Sequence, residues 1–112
     1  MCAAGKPHDD TITPLDEEFA TLARALSHPV RVAIVRHLAE AGTCVCGEIV
    51  SVMPLAQATV SQHLKVLVQA GLVIYEPTRP RSRYTLNRPV LQEILGAVSG
   101  LVDDCCRTGS CQ

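Results

Sequence analysis

The chain has 112 residues, 47% of them hydrophobic and 19% charged, with a net charge of −1. That length makes one domain with a real core, and the composition excludes a disordered chain, a polycation and, with aromatics at 3%, a core built on rings. No apolar run approaches the roughly 18 residues of a membrane span, and Met1–Thr13 is too polar for a secretory leader, so a cytoplasmic protein with no membrane partner is expected.

In chain order, residues 1–12 read as a flexible N-terminal arm. The spacing predicts a first helix after Thr13, with Pro14 at its first position and Asp16 placed to complete a cap. Leu15, Phe19, Leu22, Ala23 and Leu26 share its apolar face. Ser27-His28 breaks the pattern and Pro29 opens a second helix, which Gly42 ends. Val30, Ala33, Ile34, His37, Leu38 and Ala41 line its buried side. Thr43-Cys-Val-Cys-Gly47 leads into a short helix over roughly Glu48–Met53, and Pro54-Leu55-Ala56 is a tight turn.

The next helix, from Gln57 to Gly71, carries the functional argument. Val60, Leu64, Leu67, Val68 and Gly71 form one apolar or small stripe, and such a stripe alone says only that the helix is packed. The other side is more telling: Ala58, Gln62, Lys65 and Gln69, with Ser61 beside them and no carboxylate. Amides and cations read base edges and touch phosphates, whereas a merely solvated face mixes in Asp and Glu. Two helices joined by a short turn make a helix-turn-helix, whose second member enters the major groove. One weakness is Ala56, where a hydroxyl or carboxamide cap is expected.

Leu72–Glu76 and Ser82–Leu86 alternate as two strands around the connector Pro77–Arg81, a hairpin that forms a wing. Residues 57–88 hold Lys65, Arg79, Arg81, Arg83 and Arg88 against Glu76 alone, a local basic footprint for double-stranded DNA. Gln62 is expected to read a base edge, with Ala58 and Ser61 close to the groove. Lys65, Arg79, Arg81 and Arg83 are expected to hold phosphates. Asn87 caps the last helix, where Leu91, Ile94, Leu95, Val98, Leu101 and Val102 give an apolar face wider than a small monomer covers. A homodimer on a two-fold operator follows. The expected fold class is mostly α with a β-hairpin wing (α+β), a winged helix-turn-helix over 13–104 and a Cys-rich tail over 105–112.

Six cysteines in such a chain are clustered, unlike a disulfide framework: Cys2 alone, Cys44-Val-Cys46, and Cys105-Cys106 with Cys111. Clustered thiols without nearby imidazoles suit a soft ion that takes three sulfurs, As(III) or Sb(III), with Cd(II) or Pb(II) as the competitors and thiol redox sensing as the other alternative. A helix N-terminus beside Cys44 and Cys46 is expected to lower their pKa. On a regular helix an i, i+2 pair points about 200° apart, so one ion bridging both needs a non-helical or unwound start to that helix. Cys105, Cys106 and Cys111 are self-sufficient for three-sulfur ligation and are the preferred site. A composite of Cys44, Cys46 and a tail thiol or Cys2 is the second choice. No nucleophile–base pair, phosphate loop or paired carboxylate constellation is present, so no enzyme is expected.

Ala25-Leu-Ser-His-Pro-Val-Arg-Val-Ala-Ile-Val35, the Thr59-Val-Ser-Gln-His-Leu64 segment and Ala70-Gly-Leu-Val73 resemble the ArsR/SmtB family of winged-helix repressors, with a match from about Leu15 to Val102. The resemblance implies a homodimeric repressor that leaves its operator when a toxic metal or metalloid ion binds. Cys44-Val-Cys46 is similar to the family's Cys-Val-Cys inducer motif, although Ile49 stands where arsenic-type members often have a third Cys. The last helix lacks the His of zinc- and nickel-type members. Cys105-Cys106 with Cys111 is similar to the C-terminal arsenite site of other members.

Overall fold

In the computed structural model the described residues are 11–77 and 80–107, with the backbone alone for Cys106 and Arg107. The order is α1 (Pro14–Ala25), α2 (Pro29–Ala41), β1 (Thr43–Val45), α3 (Cys46–Val52), α4 (Gln57–Gln69), β2 (Val73–Glu76), β3 (Arg83–Leu86) and α5 (Arg88–Arg107). Side-chain and backbone chemistry sets most of these boundaries. Thr13 accepts from the Asp16 N–H at 3.1 Å while its own N–H donates to Asp16 Oδ2 at 2.9 Å, the reciprocal cap expected from the sequence. His28 caps α2 with its ring, Nδ1 accepting from the Val30 N–H at 3.1 Å. Ala56 gives α4 no side-chain cap.

The other end of α4 is closed by backbone. Gly71 takes a left-handed φ of +88°, its N–H donates to the Val68 carbonyl at 3.0 Å, and the Leu72 N–H donates to the Leu67 carbonyl at 3.0 Å. This paired closure turns the chain from helix into β2. Ile34, Leu38, Ile49, Val60, Leu64, Leu67, Leu72 and Val73 are the fully buried side chains, so the core lies where α2, α3 and α4 meet the sheet. The apolar stripe of α4 is thus its core face.

Three features differ from the sequence expectation. The sheet has three antiparallel strands in the order β1-β3-β2, not two. Thr43 pairs with Thr85, Cys44 with Tyr84 and Val45 with Arg83, and the Thr43 and Thr85 hydroxyls meet at 3.1 Å. Three residues are too few for an alternating pattern to declare itself, but β-branched Thr43 and Val45 suit the open edge that β3 offers. Secondly, α3 begins at Cys46 instead of Glu48, because the Glu48 carboxylate reaches back to accept from the Val45 N–H at 2.9 Å. Thirdly, α5 runs past residue 104 through Cys105 and Cys106 to Arg107, since no Gly or Pro interrupts that stretch. Among the described residues, no helix is long and apolar enough to cross a membrane.

Candidate nucleic-acid interface

The core stripe of α4 leaves its opposite side to solvent. Ala58, Ser61, Gln62 and Lys65 are all exposed there, at i, i+3, i+4 and i+7, on one face. The start of α4, the start of α3 and the wing enclose a cleft of about 400 Å³ lined by Cys46, Gln57, Ser61, Arg81, Ser82 and Tyr84, among others. Ser61 of that face and Arg81 before β3 thus line the same opening, and Arg81 and Arg83 are exposed. Arg79 lies outside the described residues.

The wing is held internally by aromatic and hydroxyl contacts. Tyr75 and Tyr84 face each other across β2 and β3 with ring centroids 5.3 Å apart, and the Tyr75 and Ser82 hydroxyls meet at 2.8 Å. Burial, with smaller contributions from Cys46 and Tyr75, holds the Tyr84 phenol above its usual pKa, so it stays a neutral donor near neutrality. Arg83 stands between Val45 and Glu76 in register, and Arg81 precedes the strand.

The Cys-Val-Cys segment pairs with the wing through β1 and touches α4 through Cys46, which the sequence did not reveal. Cys44 sits in β1, 3% exposed, and belongs to the core. Cys46 is half-buried at the first position of α3, with its Sγ 3.7 Å from Ser61 Oγ on α4. The start of α3 is therefore a strand-to-helix junction, with Cys44 on the strand side and Cys46 on the helix side. The expected lowering of the Cys44 pKa is corrected: burial, reinforced by the Glu48 carboxylate, pushes that thiol above its usual value. Desolvation outweighs the helix dipole, because Cys44 ends in the core instead of at the helix tip.

Of the C-terminal thiols, Cys105 is exposed in the last turn of α5, and Cys106 follows it in that turn. The Cys106 side chain, Cys111 and Cys2 lie outside the described residues. Among the described residues no three His, Cys, Asp or Glu side chains form a metal-ligand cluster. Sequence reasoning also missed the contact between Arg31 on α2 and His63 on α4, with Arg31 Nη1 3.3 Å from His63 Nδ1. Their separation by 32 positions gave no local signal.

A family model described as a helix-turn-helix domain matches residues 26–76, from the end of α1 to the end of β2. The chain is 32% identical over 92 residues to the arsenical resistance operon repressor of Bacillus subtilis, covering 81% of this chain and 84% of that protein. It belongs to the ArsR/SmtB family. A second relative, the HTH-type transcriptional repressor SmtB of Mycobacterium tuberculosis, is 40% identical over 84 residues, 74% of this chain, and the chain spans 62% of its length. In fold, the chain is similar to a homodimeric winged helix-turn-helix DNA-binding domain from Mycobacterium bovis, with a TM-score of 0.65, 24% identity and coverage of 93% and 92% of the two chains. Membership gives this chain the winged helix-turn-helix fold of the ArsR/SmtB family, whose matched relatives are named as transcriptional repressors.

Proposed function

We propose that this ArsR/SmtB protein is a homodimeric repressor that binds an inverted-repeat operator and leaves it when cysteine thiolates take up As(III) or Sb(III). The observation that carries the inducer class is the ligand inventory. The clustered soft donors are thiols, and the described part of α5 contains no imidazole. A trivalent metalloid fits three thiolates, which Cys105, Cys106 and Cys111 can provide within seven positions. The buried, protonated Cys44 makes the helix-3 pair a poorer first acceptor, which favours the C-terminal trio. The Bacillus subtilis relative carries the name of an arsenical resistance repressor, which agrees with this reading.

A composite site is the second reading, favoured by the contact between Cys46 and Ser61. Drawing the Cys44 and Cys46 sulfurs onto one ion would pull Cys44 from the core, strain the β1–β3 pairing and remove a neighbour of the recognition helix. In either case a ligand releases DNA only by binding the DNA-free state more tightly. Cd(II), Pb(II) and thiol oxidation remain the competing triggers of the same fold. Titration of reduced protein with As(III), Sb(III), Cd(II) and Zn(II), read as loss of operator binding, tests the inducer. Release by Zn(II) but not As(III) would end the metalloid assignment.

The homodimer rests on an apolar face left open in one chain. Leu95, Val98, Leu101 and Val102 on α5 and Leu15 on α1 are exposed, with Leu15 and Leu95 at 74% and 66%. The similar Mycobacterium bovis domain is homodimeric. On the DNA side, Gln62 reads a base edge with Ala58 and Ser61 near it, and Lys65, Arg79, Arg81 and Arg83 hold phosphates. Gln62→Ala is then expected to cost about 1–3 kcal/mol and to relax specificity at one base position. Arg81→Ala should weaken all duplexes alike and lower the salt slope by about 0.9. Competition binding on a duplex selected from a random library checks both, and unchanged affinity in both variants would remove these residues from the interface.

A further inference from the structure

We propose that Arg31, His63 and His28 form a joint that positions the recognition helix, and that tight operator binding requires both imidazoles to be neutral. Arg31 on α2 reaches three groups at once. Its Nε donates to the Ala25 carbonyl at 2.6 Å, Nη2 to the Arg24 carbonyl at 3.5 Å, and Nη1 meets His63 Nδ1 at 3.3 Å. The first two acceptors are the last carbonyls around the end of α1, and the third lies on α4. One side chain therefore ties the C-terminal end of α1, α2 and the recognition helix together.

The protonation states follow from donor and acceptor capacity. A guanidinium has donors only, so the His63 Nδ1 facing it accepts and carries no proton. His28 Nδ1 accepts from the Val30 N–H, so it too must be unprotonated for the α2 cap to exist. The two rings stack at 4.4 Å between centroids, tilted by 47°. A proton added to His63 Nδ1 would oppose Arg31 donor to donor. A proton added to His28 Nδ1 would break the cap and set a cation against the neighbouring ring.

Electrostatics agrees with the geometry. Burial, then His28, then Arg31, hold the His63 pKa below the usual imidazole value. The Arg31 guanidinium has the sign that opposes a proton, and Arg24 from α1 shares a groove with Arg31 alongside Val66 and Gln69 of α4. With a lowered pKa, the joint is intact above the unperturbed value of about 6.5. It is lost as pH falls through that value toward the depressed one. None of these side chains needs to touch DNA; they act through the placement of α4.

This inference rests on α4 being the DNA-reading helix, and the test separates the two ideas. The probe is a duplex selected from a random library by the wild-type protein at pH 7.5, with affinity measured from pH 7.5 to 5.5 at constant ionic strength. His28→Asn/His63→Asn keeps a carboxamide oxygen near each Nδ1 position, and Asn is itself a good cap, but neither side chain titrates. Wild type is expected to lose several-fold more affinity than this variant over that range, less than the roughly tenfold that one imidazole at the unperturbed value of about 6.5 would give. Arg31→Lys keeps the charge but cannot bridge the three acceptors. It should weaken binding at every pH without changing the salt slope, because Arg31 is not on a phosphate. Circular dichroism at pH 5.5 confirms that each protein is folded. Parallel pH profiles for wild type and the double variant, or a salt slope lowered by about 0.9 in Arg31→Lys, would overturn the joint. Failure of the wild type to select any duplex would overturn the reading of α4 together with it.

Discussion

Truncation of Leu64 to alanine is expected to lower the unfolding free energy by about 2–5 kcal/mol. Leu64 is fully buried at the centre of the α4 stripe, and α4 packs on α2, α3 and β2 around it. Removing its isopropyl group leaves a void among α2, α3 and β2 that the surrounding core closes only in part. A small domain has a total stability of about 5–15 kcal/mol, so the variant should be near its threshold. At about 4–8 °C per kcal/mol for a domain of this size, the melting temperature should drop by roughly 10 °C or more. Leu64→Met, which nearly conserves volume, should cost less than about 1.5 kcal/mol. Urea unfolding of all three proteins at one fixed concentration checks this. A Leu64→Ala cost below about 1 kcal/mol would mean that the recognition helix is not anchored through this core.

The second large effect concerns the thiols. In Cys105→Ser/Cys106→Ser, As(III) should no longer release the operator, while affinity for DNA without As(III) stays as in the wild type. Serine keeps the shape and removes the soft donor, and a coupling of about 1–3 kcal/mol, or 5–150-fold in affinity, disappears with it. Cys44→Ser/Cys46→Ser should keep its response if the C-terminal trio is the main site. Loss in both double variants would point to a composite. Full response in the Cys105/Cys106 variant, with loss only in the Cys44/Cys46 variant, would overturn the assignment preferred above. Because the acceptor is a thiolate, binding should release protons and weaken as pH falls, and proton release on titration is a direct check.

The fold was legible in the sequence wherever a local rule governs it. Thr13 with Asp16, Pro29, Gly42 and Gly71 each mark a helix end, and the structure has those ends there. The stripe of α4 had a period long enough to read, and it is the core face. What stayed hidden depends on partners distant in sequence. The strand Thr43–Val45 exists because β3 has a free edge for it, and nothing within three residues announces that. For the same reason Cys44 was misjudged: its pKa is set by the core it enters, not by the helix that follows it. The contacts of Cys46 with Ser61 and of Arg31 with His63 join segments 15 and 32 positions apart. The exposed residues of the candidate DNA face were readable, because a face defined by what it leaves out needs no partner to be seen.

Asn87 gives the molecule a pivot. Its side-chain amide donates to the Gly71 carbonyl at 3.0 Å and its backbone N–H donates to the Leu72 carbonyl at 2.8 Å. The end of the recognition helix is thereby fastened to the first turn of α5. That helix has 20 residues, so its far end stands about 30 Å from the pivot. A tilt of roughly 10° sweeps the far end through about 5 Å while the pivot hardly moves. The Cys105–Cys106 turn sits at that far end, where a weak pull has the longest arm. In a two-fold pair, the distance between pivots sets the gauge between the two recognition helices. A DNA duplex accepts that gauge only near its own repeat of about 34 Å. On the proposed α5 dimer, operator spacing would be set by how the two copies of that helix cross, and changing their crossing angle would detune both half-sites at once without touching a single base contact.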